Sequence, residues 1–164
     1  MTASESPLVT PIRKIYLTNQ GLTAKALDGL TFQQLTSRLT ENNTPMLWIA
    51  AHIVQSRAFA LKLMGEDFDT QWGKLFARGA AVPEPSLYPP VSDIADRMAE
   101  VSALLYSRLS SLSPEQLALP APGVTLPNSD TLLEQIGFLG LHESYHVGQL
   151  AYIRKSLGFP GLVG

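Results

Sequence analysis

Four long stretches of the chain repeat apolar residues every three or four positions, and none alternates strictly, so the pattern predicts helices rather than strands. The first runs from about Pro11 to Leu30. Thr10 is its expected N-cap, Pro11 its first helical residue, and Ile12, Ile15, Leu22, Ala26 and Leu27 its apolar positions. Gly21 falls inside this stretch and weakens it by about 1 kcal/mol relative to Ala. A short turn over Thr31 to Leu39 is expected next. The second helix is marked by Asn43-Thr44-Pro45, a capping residue and an N1 proline, and continues to about Met64, where Gly65 ends it.

The third helix is predicted to start at Ser92-Asp93 and run to about Leu112, with Ile94, Met98, Val101, Leu105 and Leu112 as core positions. Ser113-Pro114-Glu115-Gln116 reads as a capping box on a short turn. The fourth helix is expected to begin near Ser129-Asp130 and to stop at Gly158, with Pro160 just beyond. A long connection from Glu66 to Val91 carries Trp72, Phe76 and the proline-rich stretch Pro83 to Pro90. It is predicted to hold one short helix and to act as a lid or crossover. A second proline-rich connection precedes the fourth helix. The expectation is an all-α four-helix bundle with one or two long crossover loops, residues 1–164 forming a single domain.

Composition narrows the chemistry. The 164 residues are 45% hydrophobic and 16% charged, with formal net charge -2. That is too apolar for a disordered chain, and scattered positive residues in a slightly acidic protein argue against nucleic-acid binding. Arg154-Lys155 is the notable basic pair of the last helix and fits the dipole of its C-terminus. Cysteine is absent, which removes disulfides, thiolate metal ligands and cysteine nucleophiles. No apolar run reaches the roughly 18 to 20 residues that span a bilayer. The opening MTASESPLV lacks a basic segment followed by an apolar one, so no secretory leader and a cytoplasmic location are expected.

The chain has three histidines. His142 and His146 lie four apart in the fourth helix, and four steps of 100° return to within about 40° of the start, so both rings project from one face. Gln135, Phe138, Tyr145, Gln149 and Ile153 share that stripe. His52 lies midway along the second helix with Trp48, Gln55, Phe59 and Leu63. A single such histidine is an ordinary core or surface residue. Three on apolar-flanked faces point to a shared divalent ion, because burying unpaired imidazoles costs free energy.

His142-Glu143-Ser144-Tyr145-His146 also spells H-E-x-x-H, the zinc-peptidase pattern with Glu as general base. That reading needs a third ligand, usually downstream, and nothing after His146 is Asp, Glu, His or Cys. Glu143 shares a helical sector with Ile136, Leu139, Val147 and Leu150, so it is drawn inward. It is either an acid at the bundle edge, solvated or paired with a nearby Arg, or a base that deprotonates a metal-bound water or thiol. A third face carries Gly137, Gly140, Ser144 and Gly148. It is a flat strip for a close helix contact, within the bundle or with a second copy, or a space cleared beside the metal.

Asn43-Thr44-Pro45 leading into His52, followed by His142-x-x-x-His146-x-Gly148-Gln149, resembles the DinB/YfiT-like superfamily, and the likeness covers most of the chain. The resemblance implies a four-helix bundle of unusual connectivity, commonly a homodimer, that binds a divalent metal through His52, His142 and His146. Characterised members include thiol-dependent S-transferases and a mycothiol-dependent maleylpyruvate isomerase. The extra C-terminal domain of the isomerase type is not expected in this short chain.

Three neutral imidazoles leave the ion its full charge and an open position, with Zn or Ni the leading metals. Gln149, Tyr145 and Gln55 are candidates for orienting ligands or substrate. The leading expectation is a metal-dependent S-transferase or hydrolase acting on a small molecule, any thiol being brought in as a low-molecular-weight cofactor. A non-enzymatic metal-binding bundle, a metal-free dimeric bundle and an HExxH-type peptidase are the competing readings.

Overall fold

Helix α1 spans Thr10–Leu27, α2 Phe32–Thr36, α3 Met46–Leu63, α4 Val91–Ser111, α5 Pro114–Ala118 and α6 Leu132–Ser156, with a 3-10 turn at Pro85–Leu87. The computed structural model describes residues 6–120, 123 and 126–163. Part of the opening segment read for a leader, and part of the second proline-rich connection, lie outside them. Among the described residues no strand forms, beyond one isolated bridge between Leu126 and Ser129. Among the same residues no helix is long and apolar enough to cross a membrane. The four long helices close a ring: α1 packs on α6, α6 on α3, α3 on α4, and α4 more lightly back on α1. The 64–90 connection therefore joins neighbours, while the segments carrying α2 and α5 cross the bundle.

The long helices begin one or two residues away from the expected caps. Val9, in a helical conformation, precedes α1, so Thr10 is already inside it. Pro45 is the N-cap of α3 rather than its first residue, and Asn43 instead bonds Thr40 in the preceding turn. Pro90 caps α4. The start of α6 falls at Leu132 because Thr131 and Glu134 form a reciprocal capping box, which outcompetes Ser129-Asp130. The expected turn after Thr31 is a helical turn with its own capping box, Thr31 with Gln34, and the Ser113–Gln116 box forms on α5. Gly158 ends α6 at a positive φ of 85°, where glycine is unstrained.

The core departs from the apolar pattern mainly on α1. Its buried stripe is Tyr16, Asn19, Thr23 and Ala26, while Ile15 is 41% exposed. Two of its buried polar groups have partners on α6: Asn19 Nδ2 donates to Ser144 Oγ at 3.0 Å, and the Tyr16 hydroxyl donates to the Ile136 carbonyl at 3.1 Å. Gly137 and Gly140 let α1 close in, with Ile12 and Ile15 lying 3.6 and 3.7 Å from where a Cβ would stand. Gly148 meets nothing there, so the small-residue strip serves α1 only from Gly137 to Ser144. At the other end, Arg154 donates to the Ala26 and Asp28 carbonyls, closing the C-terminus of α1.

A fully buried cation, Arg57 on α3, ties the ring together. Its guanidinium reaches both carboxylate oxygens of Glu143 on α6, at 2.9 and 2.5 Å. The same group donates to Ser102 and Tyr106 on α4, and to Gln20 and the Tyr16 carbonyl on α1. Burial opposes the Arg57 charge, but the hydrogen bonds and negative charge of Glu143 outweigh it and raise the guanidinium pKa. Burial pushes the Glu143 carboxyl up, and Arg57 pulls against that.

Removing either partner strands a buried charge. R57M or E143L alone is therefore expected to lower the urea-unfolding free energy by about 3–5 kcal/mol, and the double variant to recover much of it. A loss below about 1 kcal/mol in both single variants would mean that water already solvates the pair.

Candidate metal centre

His52 enters the site from the most deeply buried stretch of α3. Trp48, one turn earlier, stacks on its ring with centroids 4.9 Å apart and planes 15° from parallel. The Phe76 carbonyl, on the long connection, accepts from His52 Nδ1 at 2.6 Å. A carbonyl can only accept, so Nδ1 carries the proton and Nε2 keeps its lone pair. The connection holds that carbonyl through its aromatics: Phe76 is fully buried, edge-on to Trp72 at 5.6 Å and tilted against Tyr88 at 5.6 Å. Packing is thus the role of Trp72 and Tyr88, whereas Phe76 adds a backbone contact to the site.

His142 and His146 arrive from α6 as their spacing predicts. Their Nε2 atoms lie 3.1 Å apart. The Gln149 side-chain oxygen accepts from His146 Nδ1 at 2.7 Å, fixing this ring in the same tautomer as His52. Tyr145, 63% exposed, accepts from the Gln149 amide at 3.4 Å. One nitrogen from each of the three rings lies within 4.8 Å of the others. Donors about 2.0–2.1 Å from a tetrahedral ion sit roughly 3.3 Å from one another. The α6 pair already has that separation, and the His52 nitrogen lies within 4.8 Å of both. His142 Nδ1 is buried without a partner.

All three rings are held neutral. Burial lowers the His146 pKa to about 4, against a raising contribution from Gln149. Burial also lowers His52, and burial with the nearby His52 and Arg78 charges lowers His142. Neutral rings are the protonation state that a divalent cation requires, and the Nε2 lone pairs of His52 and His146 are available to it. The donor set therefore fits a metal ion.

The remaining candidate residues are placed as follows. Glu143 joins α6 to Arg57, with both oxygens engaged there, and is not among the clustered donors. Of the two readings open for it, the arginine partner is the one observed, at the bundle centre rather than its edge. A peptidase-type general base needs a carboxylate free beside the metal, and this one is committed to a guanidinium. Gln55 donates to the Gly73 carbonyl at 2.8 Å and accepts from Thr70 at 3.1 Å, strapping the long connection to α3. A cavity of about 710 Å³ opens beside His52 and His142, with Gln55 on its wall. A cleft of about 490 Å³ lies on the other side, along Tyr145, Gly148 and Gln149.

The fold and site define an all-helical bundle with a three-imidazole cluster shared by two packed helices. The chain belongs to the DinB superfamily, which it matches over residues 16–150. It is also similar to a crystal structure of a conserved protein from Enterococcus faecalis, at 14% identity and a TM-score of 0.72. That alignment covers 90% of this chain and 95% of the other, and it shows a shared fold. No curated protein matches.

Arg57 was not a candidate from sequence, yet it fixes how α3 meets α6. A signal existed: a lone Arg on the Met46, Ala50, Ile53, Arg57, Ala60 stripe, and a lone Glu on the Ile136, Leu139, Glu143, Val147, Leu150 stripe. Two single opposite charges on two apolar stripes predict a pair.

Two outcomes follow from this geometry. Gln149→Leu is expected to weaken zinc binding about 10- to 100-fold without unfolding the protein, as read by competition with a chromophoric chelator. An unchanged affinity would mean that the Gln149 contact does not orient the ring. In EDTA-treated protein, His146 binds its proton near pH 4 folded but near its ordinary value unfolded. The unfolded chain therefore takes up more protons, and stability falls as pH drops from about 6.5 toward 4. H146Q should flatten that slope, measured as the urea midpoint against pH; equal slopes would place the ring in water.

Proposed function

We propose that this protein is a divalent-metal-dependent enzyme acting on a small molecule, by transfer of a low-molecular-weight thiol or by hydrolysis. The supporting observation is the convergence of three neutral imidazoles from two helices beside a cavity of about 710 Å³. Three protein ligands are the number that catalytic sites use when one position is kept for water or substrate. His52, His142 and His146 would hold the ion, Zn or Ni, with the Phe76 carbonyl and Gln149 fixing two of the rings. Bound there by uncharged donors, the ion keeps its charge and supplies Lewis acidity that favours hydroxide or thiolate near neutral pH.

The protein's own residues do the rest. Arg57 and Glu143 set the depth at which α3 faces α6, so Glu143 is a positioning residue here rather than a base. Gln55, on the cavity wall, holds the long connection to α3. With no cysteine in the chain, a sulfur nucleophile has to come from a second substrate. The competing reading, a metal-binding homodimer without turnover, draws support from the exposed Leu141, Tyr145 and Tyr152 along one side of α6.

Purified protein is expected to carry about one equivalent of divalent metal by inductively coupled plasma mass spectrometry, and H146A to carry far less while keeping its helical circular dichroism. Turnover is sought with thiols plus electrophiles, and with esters and amides, in metal-loaded and chelated protein. Metal-dependent turnover abolished by H146A supports the enzyme; bound metal with no turnover across the panel supports the binding homodimer. Turnover that persists in H146A rejects the mechanism.

A further inference from the structure

The cavity beside the three imidazoles combines an apolar wall with an excess of positive charge. Phe59 of α3, Phe138 of α6 and Phe68 of the long connection supply aromatic surface. Its volume of about 710 Å³ suits a small molecule, since such sites span roughly 300–1,000 Å³. Lys62, near the end of α3, and Arg78, on the connection, line the same space, against a single acid, Asp67. Among the described residues neither cation has an ion-pair or hydrogen-bond partner. The neighbouring acid Glu66 is turned toward Arg108, 3.9 Å away, and so does not neutralise them.

Two unpaired cations bordering apolar surface favour one kind of ligand. A cationic ligand would meet repulsion from both. A neutral apolar ligand would leave both without the counter-charge that a carboxylate supplies through charge-assisted hydrogen bonds. An arginine fork suits a carboxylate in particular, because its parallel N–H groups match the two oxygens. His142 lines the same cavity, and the Arg78 charge is felt at its ring. A ligand held by Arg78 therefore lies beside an imidazole of the cluster.

We propose that the cavity binds an amphipathic anion, its apolar body against Phe59, Phe68 and Phe138 and its carboxylate, or a similar group, held by Arg78 and Lys62. Calling that anion the substrate rests on the enzymatic reading above; the binding itself does not. It also assigns the long connection a second task, since the strap that orients His52 through Phe76 carries the anion-recognising Arg78 two residues later.

Isothermal titration with 4-phenylbutyrate and its uncharged amide, 4-phenylbutanamide, tests this on EDTA-treated and zinc-loaded protein. The acid is expected to bind about tenfold more tightly than the amide, with the preference shrinking as salt is raised. R78Q and K62Q should each remove most of that preference and leave the amide's affinity unchanged. Both side chains are exposed, so folding is not at stake. The preference should survive EDTA and H146A. Equal affinity for acid and amide, or no saturable binding of either, overturns the proposal. So does a preference that survives R78Q and K62Q but vanishes with EDTA, which places the anion on the metal and leaves the metal reading intact. The opposite pattern, a cation-dependent preference in protein that binds no zinc, keeps the anion site and removes the metalloenzyme.

Discussion

The guanidinium of Arg57 touches each of the other three long helices, and the placement of the imidazoles depends on that contact. It lies five residues beyond His52 on α3, while its carboxylate partner lies between His142 and His146 on α6. A bidentate pair tolerates little sliding, because either oxygen loses its donor within about an ångström. Slipping α3 by one residue along its axis, about 1.5 Å, would break the pair and carry His52 away from the other two rings. A packed apolar seam is less exacting, since neighbouring leucines and alanines accept small offsets at low cost.

Stability alone does not account for such a pair. Burying two charges costs several kcal/mol per ion before their attraction offsets it, and an apolar replacement of equal volume often matches or exceeds the result. Here the cost is spread over a network in which the guanidinium also donates to two hydroxyls, an amide oxygen and a carbonyl. What the network adds is selection of one helix register out of several that would bury similar apolar area. The same logic recurs outside the bundle. Phe76 is locked by three aromatic neighbours, Trp48, Trp72 and Tyr88, and its carbonyl sets the tautomer of His52.

Much of this was legible in the sequence. The four long helices, the capping box at Ser113 and the stop at Gly158 follow from periodicity and local turn chemistry, which act over a few residues. The three imidazoles were legible because ligand spacing on α6 is itself local and only His52 remained to complete the set. What escaped was non-local. The buried side of α1 runs through Asn19 and Thr23, which a hydropathy pattern assigns to water, and the partner of Asn19 lies more than 100 residues away. Arg57 escaped for the same reason, its partner Glu143 lying on a distant helix. The Phe76 carbonyl could not be found at all, since a backbone acceptor leaves no mark on residue identity.

These buried polar contacts share a direction: each spends conformational freedom to fix an orientation rather than to add apolar area. Orientation matters most where neutral donors must converge, because an imidazole attracts a cation only along its lone pair and over a short range. Carboxylate ligands would draw a cation in by charge and forgive imprecise placement; three uncharged rings cannot. A site built this way shifts its demand for precision onto the scaffold. That accounts for why a bundle whose core would hold with leucines carries a buried ion pair, an aromatic-locked carbonyl and a glutamine clamp around one cluster of nitrogens.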